Sequence, residues 1–533
     1  MTRWVVLGLL LLSCGKPARH KSTTTLSITV TDQGKPVAAR VLLFDPSNQP
    51  VHIGAIDLYG KRQGAAACAI ANGVVGSWDG LILANGTAEV PVGVDACQPT
   101  PAIPYGHYHV WAWRGIEYEK WEGEVDLHEN RGKVALNIAL ERAWIPHATL
   151  AADLHVHAHA SNDSTLPNPQ RVIAQLAAGI QVVALTDHNT NGDLDADIEQ
   201  LEVGDRIASI AGNELTSNNQ HVNVYPVPYD RNLPAGGAPE AATVIDAKPE
   251  AIFAMGRAMK TNPIIQVNHP RFRVGSMYDT HGWNGVSWPP PFPTTFDAVE
   301  VLAGYSAFNV EGDRRLDDGV RDLYTFYDHG HLVIPVANSD THDLNWVLDG
   351  TARTYVFTDD TRTNPFDEAA FIAALRSRRT VATTGPWLDV EAMPKEAATP
   401  SVGPGDSLEP DGTGATSSVW LDITLSQTKW VHCERIRITI GAPGGPKLAQ
   451  QIDVPPNVRT YHWTGRVEVG ATDTWIGVTA DGDTALPLEF TGTYQKDKWG
   501  RAGVTPFALA SPILVDADRD GHWKRGDADV NLR

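Results

Sequence analysis

Asp153-Leu154-His155-Val156-His157 ends the first of five short apolar runs, each of which leads into side chains that can bind metal ions. The other four runs are 181–185, 207–211, 263–267 and 332–336, and they lead to Asp187-His188, Glu214, His269, and Asp340 with His342. Apolar runs of this length are typical of buried parallel strands. Residues that follow the carboxyl ends of such strands build the site of a β/α barrel. The sequence therefore predicts an α/β barrel that holds divalent ions at its strand ends.

The order of these motifs carries more weight than any one of them. In 533 residues with 19 histidines, chance alone gives about 0.7 His-x-His pairs, so a single pair is weak evidence. A helix is predicted over 169–178, because Asn168-Pro169 suits a helix start and Gly179 suits its end. A strand-helix-strand order favours parallel strands.

The series of motifs resembles the PHP (polymerase and histidinol phosphatase) superfamily, and within it the CehA/McbA-type metallohydrolases. The similarity covers about residues 147–388 and includes Gly385-Pro386. It implies a distorted (βα)7 barrel with two or three Zn, Mn or Fe ions. In that arrangement one ion is held by His155, His157, Glu214 and Asp340. Glu214 bridges to a second ion, which His221 and His269 also hold, and a third is held by Asp163, His188 and His342. Asp163 departs from the pattern, since some members have His there.

The resemblance also implies a reaction. It is the hydrolysis of a phosphoester, or of an aryl carbamate or carboxylic ester, by a metal-activated hydroxide. Glu214 and Asp340 are the candidate catalytic carboxylates. Arg271 is a candidate for binding an anionic substrate group through its fork, and a salt bridge with an acidic residue is the alternative. The other function that stays open is an extracytoplasmic binding or structural protein whose barrel holds metal without catalysis.

Two further features near the barrel motifs have open interpretations. The aromatic and Pro-rich stretch 271–295 is either a lid over the site or a loop packed on a neighbouring domain. Asp187 either orients His188 or caps the end of its strand. His159 and His281 are candidate proton donors rather than ligands.

Strand-rich regions flank the barrel on both sides. Residues 26–146 and 389–533 alternate apolar and polar side chains in short runs, which predicts an N-terminal and a C-terminal β-sandwich. Near the end, the spacing of Asp516, Asp518, Asp520 and Asp527 is that of a calcium loop. A strand precedes this loop and Asp stands where Glu is usual, so a Ca²⁺ site and an acidic turn both stay open.

The first residues predict export. Residues 1–14 combine Arg3, an apolar run and Leu11-Leu12-Ser13-Cys14, which resembles a bacterial lipobox; an ordinary secretory signal is the alternative. Cys14 would carry the lipid and 15–25 would be a tether. The protein is then expected to be a bacterial lipoprotein, periplasmic or on the outer surface, that reaches the membrane only through this lipid.

Charge and cysteine content narrow the expected partners. The formal net charge of −20 at pH 7 disfavours nucleic acid, which needs a basic surface. A small-molecule ester is the expected substrate. Cys68 and Cys97 can pair in an oxidising compartment, although the sequence does not fix their geometry.

Overall fold

A computed structural model describes residues 24–51, 69–71, 74–76, 80–93, 103–271, 275–286, 293–304, 315–492 and 503–532. The predicted lipid attachment at Cys14 and the predicted pairing of Cys68 with Cys97 lie outside the described residues. Parts of the aromatic stretch, 272–274 and 287–292, also lie outside them. None of the helices in the described part of the chain has the length and apolar character needed to cross a bilayer.

The protein is a mixed α/β structure in which strands predominate. The first region contains β1 Thr24–Asp32, β2 Lys35–Pro36, β3 Ala39–Phe44, β4 Ala69–Ala71, β5 Val74–Gly76, β6 Gly80–Leu83, β7 Thr87–Pro91, β8 Gly106–Trp113, β9 Trp121–Leu127 and β10 Gly132–Leu140. The middle region contains β11 Thr149–Val156, α1 Asn168–Ala177, β12 Val182–Leu185, α2 Asp195–Gln200, β13 Ala208–Ala211, β14 Asn213–Thr216, β15 His221–Tyr225, α3 Ala241–Val244, α4 Pro249–Arg257, β16 Ile264–Val267, α5 Met277–Thr280, β17 Ala298–Ala303, α6 Arg315–Asp328, β18 Ile334–Asn338, β19 Arg353–Phe357, α7 Glu368–Arg376 and β20 Thr380–Thr383. The last region contains β21 Trp387–Met393, β22 Ser407–Leu408, β23 Ser418–Ser426, β24 Arg435–Ala442, β25 Gly445–Asp453, β26 Thr460–Glu468, β27 Thr474–Asp481, α8 Leu488–Thr491, β28 Phe507–Val515, β29 His522–Arg525 and β30 Ala528–Asn531.

The N-terminal strands form two sheets. One has the order β10-β1-β2, with β7 also paired to β1, and the other has the order β4-β5-β6-β3-β8-β9. In β1 the side chains of Leu26, Ile28 and Val30 are buried and their neighbours are half-buried, as the period of two requires. These three residues belong to a core that includes side chains from both sheets, among them Val41 and Val110.

The expectation of parallel strands in the middle region is only partly correct. Strands β11, β12 and β13 are parallel neighbours, and so are β16, β17 and β18. Strands β14, β15 and β16 are antiparallel neighbours, and β19 is antiparallel to β11. The connection from β14 to β15 is four residues, which permits an antiparallel pair but is far too short for a parallel crossover.

The two sheets of the middle region meet at both margins. On one side only Gly212 separates β13 from β14, and a Cβ at this position would lie 2.6 Å from the carbonyl oxygen of Leu185, so only glycine fits. On the other side the chain after β18 pairs with the end of β11. There the amide of Asp340 donates to the carbonyl of His155 at 2.9 Å, and the amide of His157 donates to the carbonyl of Thr341 at 3.0 Å. Buried side chains from both sheets, including Leu154, pack between them.

The C-terminal strands continue the sheet of the middle region. β20 pairs with β28, so a single ten-stranded sheet runs from β13 through β11, β19 and β20 to β27, β24 and β25. The sheet crosses residue 388, where the sequence predicts the start of a separate sandwich. A three-stranded sheet, β21-β23-β26, shares a hydrophobic core with these strands, to which Ile423, Ile438 and Val478 belong.

Candidate metal centre

Nine predicted ligands come from strand ends that surround one region. His155 is in β11, Glu214 is in β14 and His221 is the first residue of β15, while the others follow β11, β12, β16 and β18: His157, Asp163, His188, His269, Asp340 and His342. Two isolated bridges, between Val156 and Thr341 and between His188 and Glu214, align neighbouring strand ends. The structure thus brings together residues that are up to 187 positions apart in the sequence.

Glu214 is the centre of this cluster. Its carboxylate lies 3.2 Å from Nε2 of His155 and 3.6 Å from Nε2 of His157. It lies 2.6 Å from Nδ1 of His188, 3.2 Å from Nδ1 of His221 and 3.7 Å from Nε2 of His269. Glu214 is fully buried. One carboxylate within reach of five imidazole rings is the arrangement expected of a bridging ligand between metal ions.

Asp340 faces the same two imidazoles from the other side. Its Oδ1 lies 3.1 Å from Nε2 of His155 and 3.1 Å from Nε2 of His157. The backbone of Asp340 is left-handed, with φ of 52°. Aspartate tolerates this conformation better than most residues. The turn after β18 therefore directs a carboxylate towards the centre.

Asp163 belongs to an outer group of candidate ligands. Its Oδ2 lies 3.2 Å from Nε2 of His188 and 3.2 Å from Nε2 of His342. Candidate ligand atoms of His157, Asp163, His188 and His342 all lie within 4.8 Å of one another. Ser161 donates from its hydroxyl to Oδ1 of Asp163 at 2.9 Å, which helps to hold this carboxylate. Asp163 is therefore positioned to act as a ligand.

Glu300 is a buried residue of the centre that the sequence motifs did not include. Its Oε1 lies 3.1 Å from Nδ1 of His155, and its Oε2 accepts the backbone N–H of His269 at 2.7 Å. The amide of Asn338 donates to Oε1 at 3.0 Å. A carboxylate that engages one ring nitrogen fixes which nitrogen faces the metal. The available sequence signal was a single acidic residue inside the apolar run of β17.

The donor atoms fit divalent metal ions. Nε2 of His155, Nε2 of His157 and Oε2 of Glu214 are buried and make no hydrogen bond with any described residue. The Nδ1 atoms of these two histidines are engaged elsewhere, by Glu300 and by Ser161 at 3.1 Å. Mixed imidazole and carboxylate donors suit Zn, Mn or Fe better than Ca. Several subsets of the nine residues have donor atoms close enough to share an ion.

The electrostatics of the centre require positive charge. Burial opposes protonation of His155, but Asp340, Glu300 and Glu214 outweigh it and raise the pKa of His155 well above its ordinary value. Burial likewise opposes protonation of His188, yet Glu214 and Asp163 raise its pKa to about 10. Within the described residues no Lys or Arg pairs with these carboxylates. Buried carboxylates need hydrogen bonds or a counter-charge, and in this centre protonated imidazoles or, better, divalent cations would supply the charge.

The structure pairs Arg271 with an acidic residue. The Arg271 fork donates from Nε and Nη2 to Asp322, at 2.5 and 2.8 Å, and Asp322 is buried. This is the salt-bridge alternative, so a catalytic role for Arg271 has no structural support. In the same stretch, Trp283 is buried and stacks on Phe326 of α6 with ring centroids 5.1 Å apart. The described part of the aromatic stretch therefore contributes to packing.

The remaining candidates also have structural partners. Asp187 is buried, and its Oδ1 accepts the backbone N–H of Ala158 at 2.7 Å, which corresponds to the strand-end alternative. Nε2 of His281 lies 3.1 Å from Oε1 of Gln220. His159 lies 3.1 Å from Oδ1 of Asn168, at an exposed position.

Replacement of Glu300 by Gln is expected to lower metal affinity by about 10–100-fold, the usual cost of losing a partner that orients a metal-binding histidine. The amide keeps the size of the side chain but removes its charge. It also places an NH2 group next to Nδ1 of His155, the N–H of His269 and the amide of Asn338, which all contact the carboxylate. Competition with a metallochromic chelator measures the affinity. Glu368→Gln on α7 is the control and should bind metal as the wild type does. Unchanged affinity in Glu300→Gln would show that Glu300 does not orient His155.

Comparison with known proteins gives no relative from which a function can be transferred, since no family model and no curated protein matches the chain.

Proposed function

We propose that the protein is a multinuclear metal-dependent hydrolase of esters. The observation that carries this proposal is the contact of one buried carboxylate, Glu214, with five imidazole rings, beside a second carboxylate, Asp340. A structural metal site is normally closed and needs only four ligands. Nine candidate ligands with shared carboxylates exceed that need and match the requirement of a centre with two or three ions.

We also propose that the two sheets of the middle region form a barrel. Two sheets that meet at both margins, with ligands after the strand ends, are consistent with a distorted (βα)7 barrel of the PHP type. The similarity of the motifs to CehA/McbA-type metallohydrolases favours the same assignment. The antiparallel strands β14 and β15 are the distortion in this interpretation.

When bound, divalent ions would lower the pKa of water and polarise the scissile bond of the substrate. The residues of the chain would hold these ions and orient the ligands. His155, His157, Glu214 and Asp340 would hold one ion, His221 and His269 would complete a second around Glu214, and Asp163, His188 and His342 would hold a third. Glu300 would accept a hydrogen bond from Nδ1 of His155 and thereby direct Nε2 towards the ions. The substrate is a phosphoester, an aryl carbamate or a carboxylic ester.

The cellular location is also proposed. Arg3, the apolar run and Cys14 support an exported lipoprotein, periplasmic or on the outer surface, that is attached to the membrane by lipid alone. The acidic charge supports small molecules rather than nucleic acid as substrates.

Hydrolysis assays with a ligand variant test the enzymatic proposal. The chain loaded with Zn, Mn or Fe is expected to cleave at least one ester in a panel of aryl phosphates, carbamates and carboxylates. His155→Ala should reduce that rate more than about 100-fold, because loss of a direct ligand should exceed the 10–100-fold cost of losing an outer partner. His107→Ala, which removes an exposed histidine paired with Asp126, should keep the rate. Metal binding without turnover of any ester would favour the binding or structural alternative.

A further inference from the structure

Three aspartates meet in the C-terminal region, away from the residues of the metal centre. Asp473 immediately precedes β27, and Asp516 immediately follows β28. The two strands pair antiparallel with Thr474 opposite Val515, and this register places Asp473 beside Asp516. Candidate ligand oxygens of Asp473, Asp516 and Asp518 lie within 4.8 Å of one another.

Asp516 has a buried oxygen without a partner. The residue is 2% exposed, and its Oδ2 accepts the N–H of Gly521 at 2.9 Å. Its Oδ1 is buried and makes no hydrogen bond with any residue in the described ranges. An ionised oxygen withdrawn from water needs a hydrogen bond or a cation. Oδ1 is therefore the atom that Asp516 can offer to an ion.

The nearby basic side chains pair elsewhere. Lys524 pairs with Asp520, and Arg525 pairs with Asp328. In the described part of the chain, neither they nor any other Lys or Arg forms an ion pair with Asp473, Asp516 or Asp518. Asp473 is 6% exposed, and its two carboxylate oxygens accept only backbone N–H groups among the described residues, from Ala517 at 2.9 Å and from Lys524 at 2.7 Å. The cluster thus carries negative charge without a protein counter-charge.

We propose that Asp473, Asp516 and Asp518 bind a structural Ca²⁺ ion. Three carboxylates with no nitrogen or sulfur donor suit a hard cation, and backbone carbonyls and water would complete its six to eight oxygens. This set differs from the one that the sequence predicts. Asp520 pairs with Lys524, and Asp527 lies in the turn between β29 and β30, where its N–H donates to His329. Asp473, which lies 43 residues before Asp516 in the sequence, replaces Asp527, the twelfth residue of the predicted loop, in the proposed set.

The ion would attach the C-terminal hairpin to the ten-stranded sheet. The hairpin of β29 and β30 follows the loop directly, and its Trp523 is fully buried. The indole N–H of Trp523 donates to the carbonyl of Thr474 at 2.6 Å, next to Asp473. A cation between the start of β27 and the loop after β28 would hold both ends of this contact, so its binding should stabilise the folded chain.

Calcium titration of the full chain tests this site. Isothermal titration calorimetry is expected to show one Ca²⁺ per chain with a dissociation constant on the order of 0.1–1 mM, as in weak sites of this kind. Saturating Ca²⁺ should raise Tm by a few degrees. Absence of both the heat and the shift in the wild type would overturn the proposal.

Two exposed aspartates give a matched pair of variants. Asp518→Asn is expected to lose the heat of Ca²⁺ binding and the shift in Tm, and Asp527→Asn is expected to keep both. Since both side chains are exposed, neither change should disturb folding in the absence of Ca²⁺. Retention of the Ca²⁺ response in Asp518→Asn would refute the site. Its loss in Asp527→Asn would refute the proposed ligand set and favour the loop predicted from sequence spacing.

Discussion

Glu214→Gln should release metal and abolish hydrolysis. Glu214 is the carboxylate within reach of His155, His157, His188, His221 and His269, so its neutralisation removes charge from the two ions that it would bridge. We expect loss of at least one equivalent of metal and a fall of more than about 100-fold in the rate of ester hydrolysis. This is a larger effect than replacement of a residue that only orients a ligand should have. Elemental analysis of the purified variant and the assay on the best ester measure both effects.

The amide variant is chosen because it preserves packing. Gln keeps an oxygen for the amide of Asn268, which donates to Oε1 of Glu214 at 2.8 Å. Glu199→Gln, an exposed change on α2, is the control and should keep metal and activity. Full metal content and an unchanged rate of hydrolysis in Glu214→Gln would show that the shared carboxylate has no role in metal binding or in the reaction.

Arg171→Met is expected to be the most destabilising single change near the centre. The Arg171 side chain on α1 is fully buried and pairs at 2.6 Å with Asp349, whose side chain is 2% exposed. Removal of one partner of a buried ion pair leaves an uncompensated charge and costs about 3–5 kcal/mol. Urea unfolding, followed by far-UV circular dichroism, measures the loss.

The same arginine connects this pair to the metal ligands. Its Nε donates to the carbonyl of His157 at 2.9 Å, and its Nη2 donates to the carbonyl of Thr341 at 3.2 Å. We therefore expect Arg171→Met to bind metal more weakly as well. Arg362→Met removes an exposed pair with Asp360 and should leave the unfolding midpoint unchanged. A midpoint unchanged in Arg171→Met would show that the buried pair contributes nothing to stability.

The sequence identifies candidate ligands that follow apolar runs, because a polar residue at the end of a buried strand is visible locally. His155, His269 and Asp340 are of this kind. Glu300 was missed because its partner His155 is 145 residues away, and only the sheet order brings them together. The sequence leaves a salt bridge of Arg271 with some acidic residue as one alternative, and the structure identifies the partner as Asp322, 51 residues away.

Strand direction and domain limits were harder to predict for the same reason. The alternation of apolar and polar residues is only a weak signal for β14 and β15, because these strands have only four and five residues. Their antiparallel pairing follows from a short turn rather than from composition. The paired residues of β20 and β28 are 125 to 129 positions apart, so nothing local in the sequence indicates that the C-terminal strands extend the sheet of the middle region.

Metal content of the purified wild-type chain is the most direct test of the proposed centre. Inductively coupled plasma mass spectrometry, beside an Asp340→Ala variant, counts every candidate ion at once. We predict two or three equivalents of Zn, Mn or Fe per wild-type chain, with at least one equivalent lost in the variant. No bound transition metal, or a content that Asp340→Ala leaves unchanged, would contradict the account.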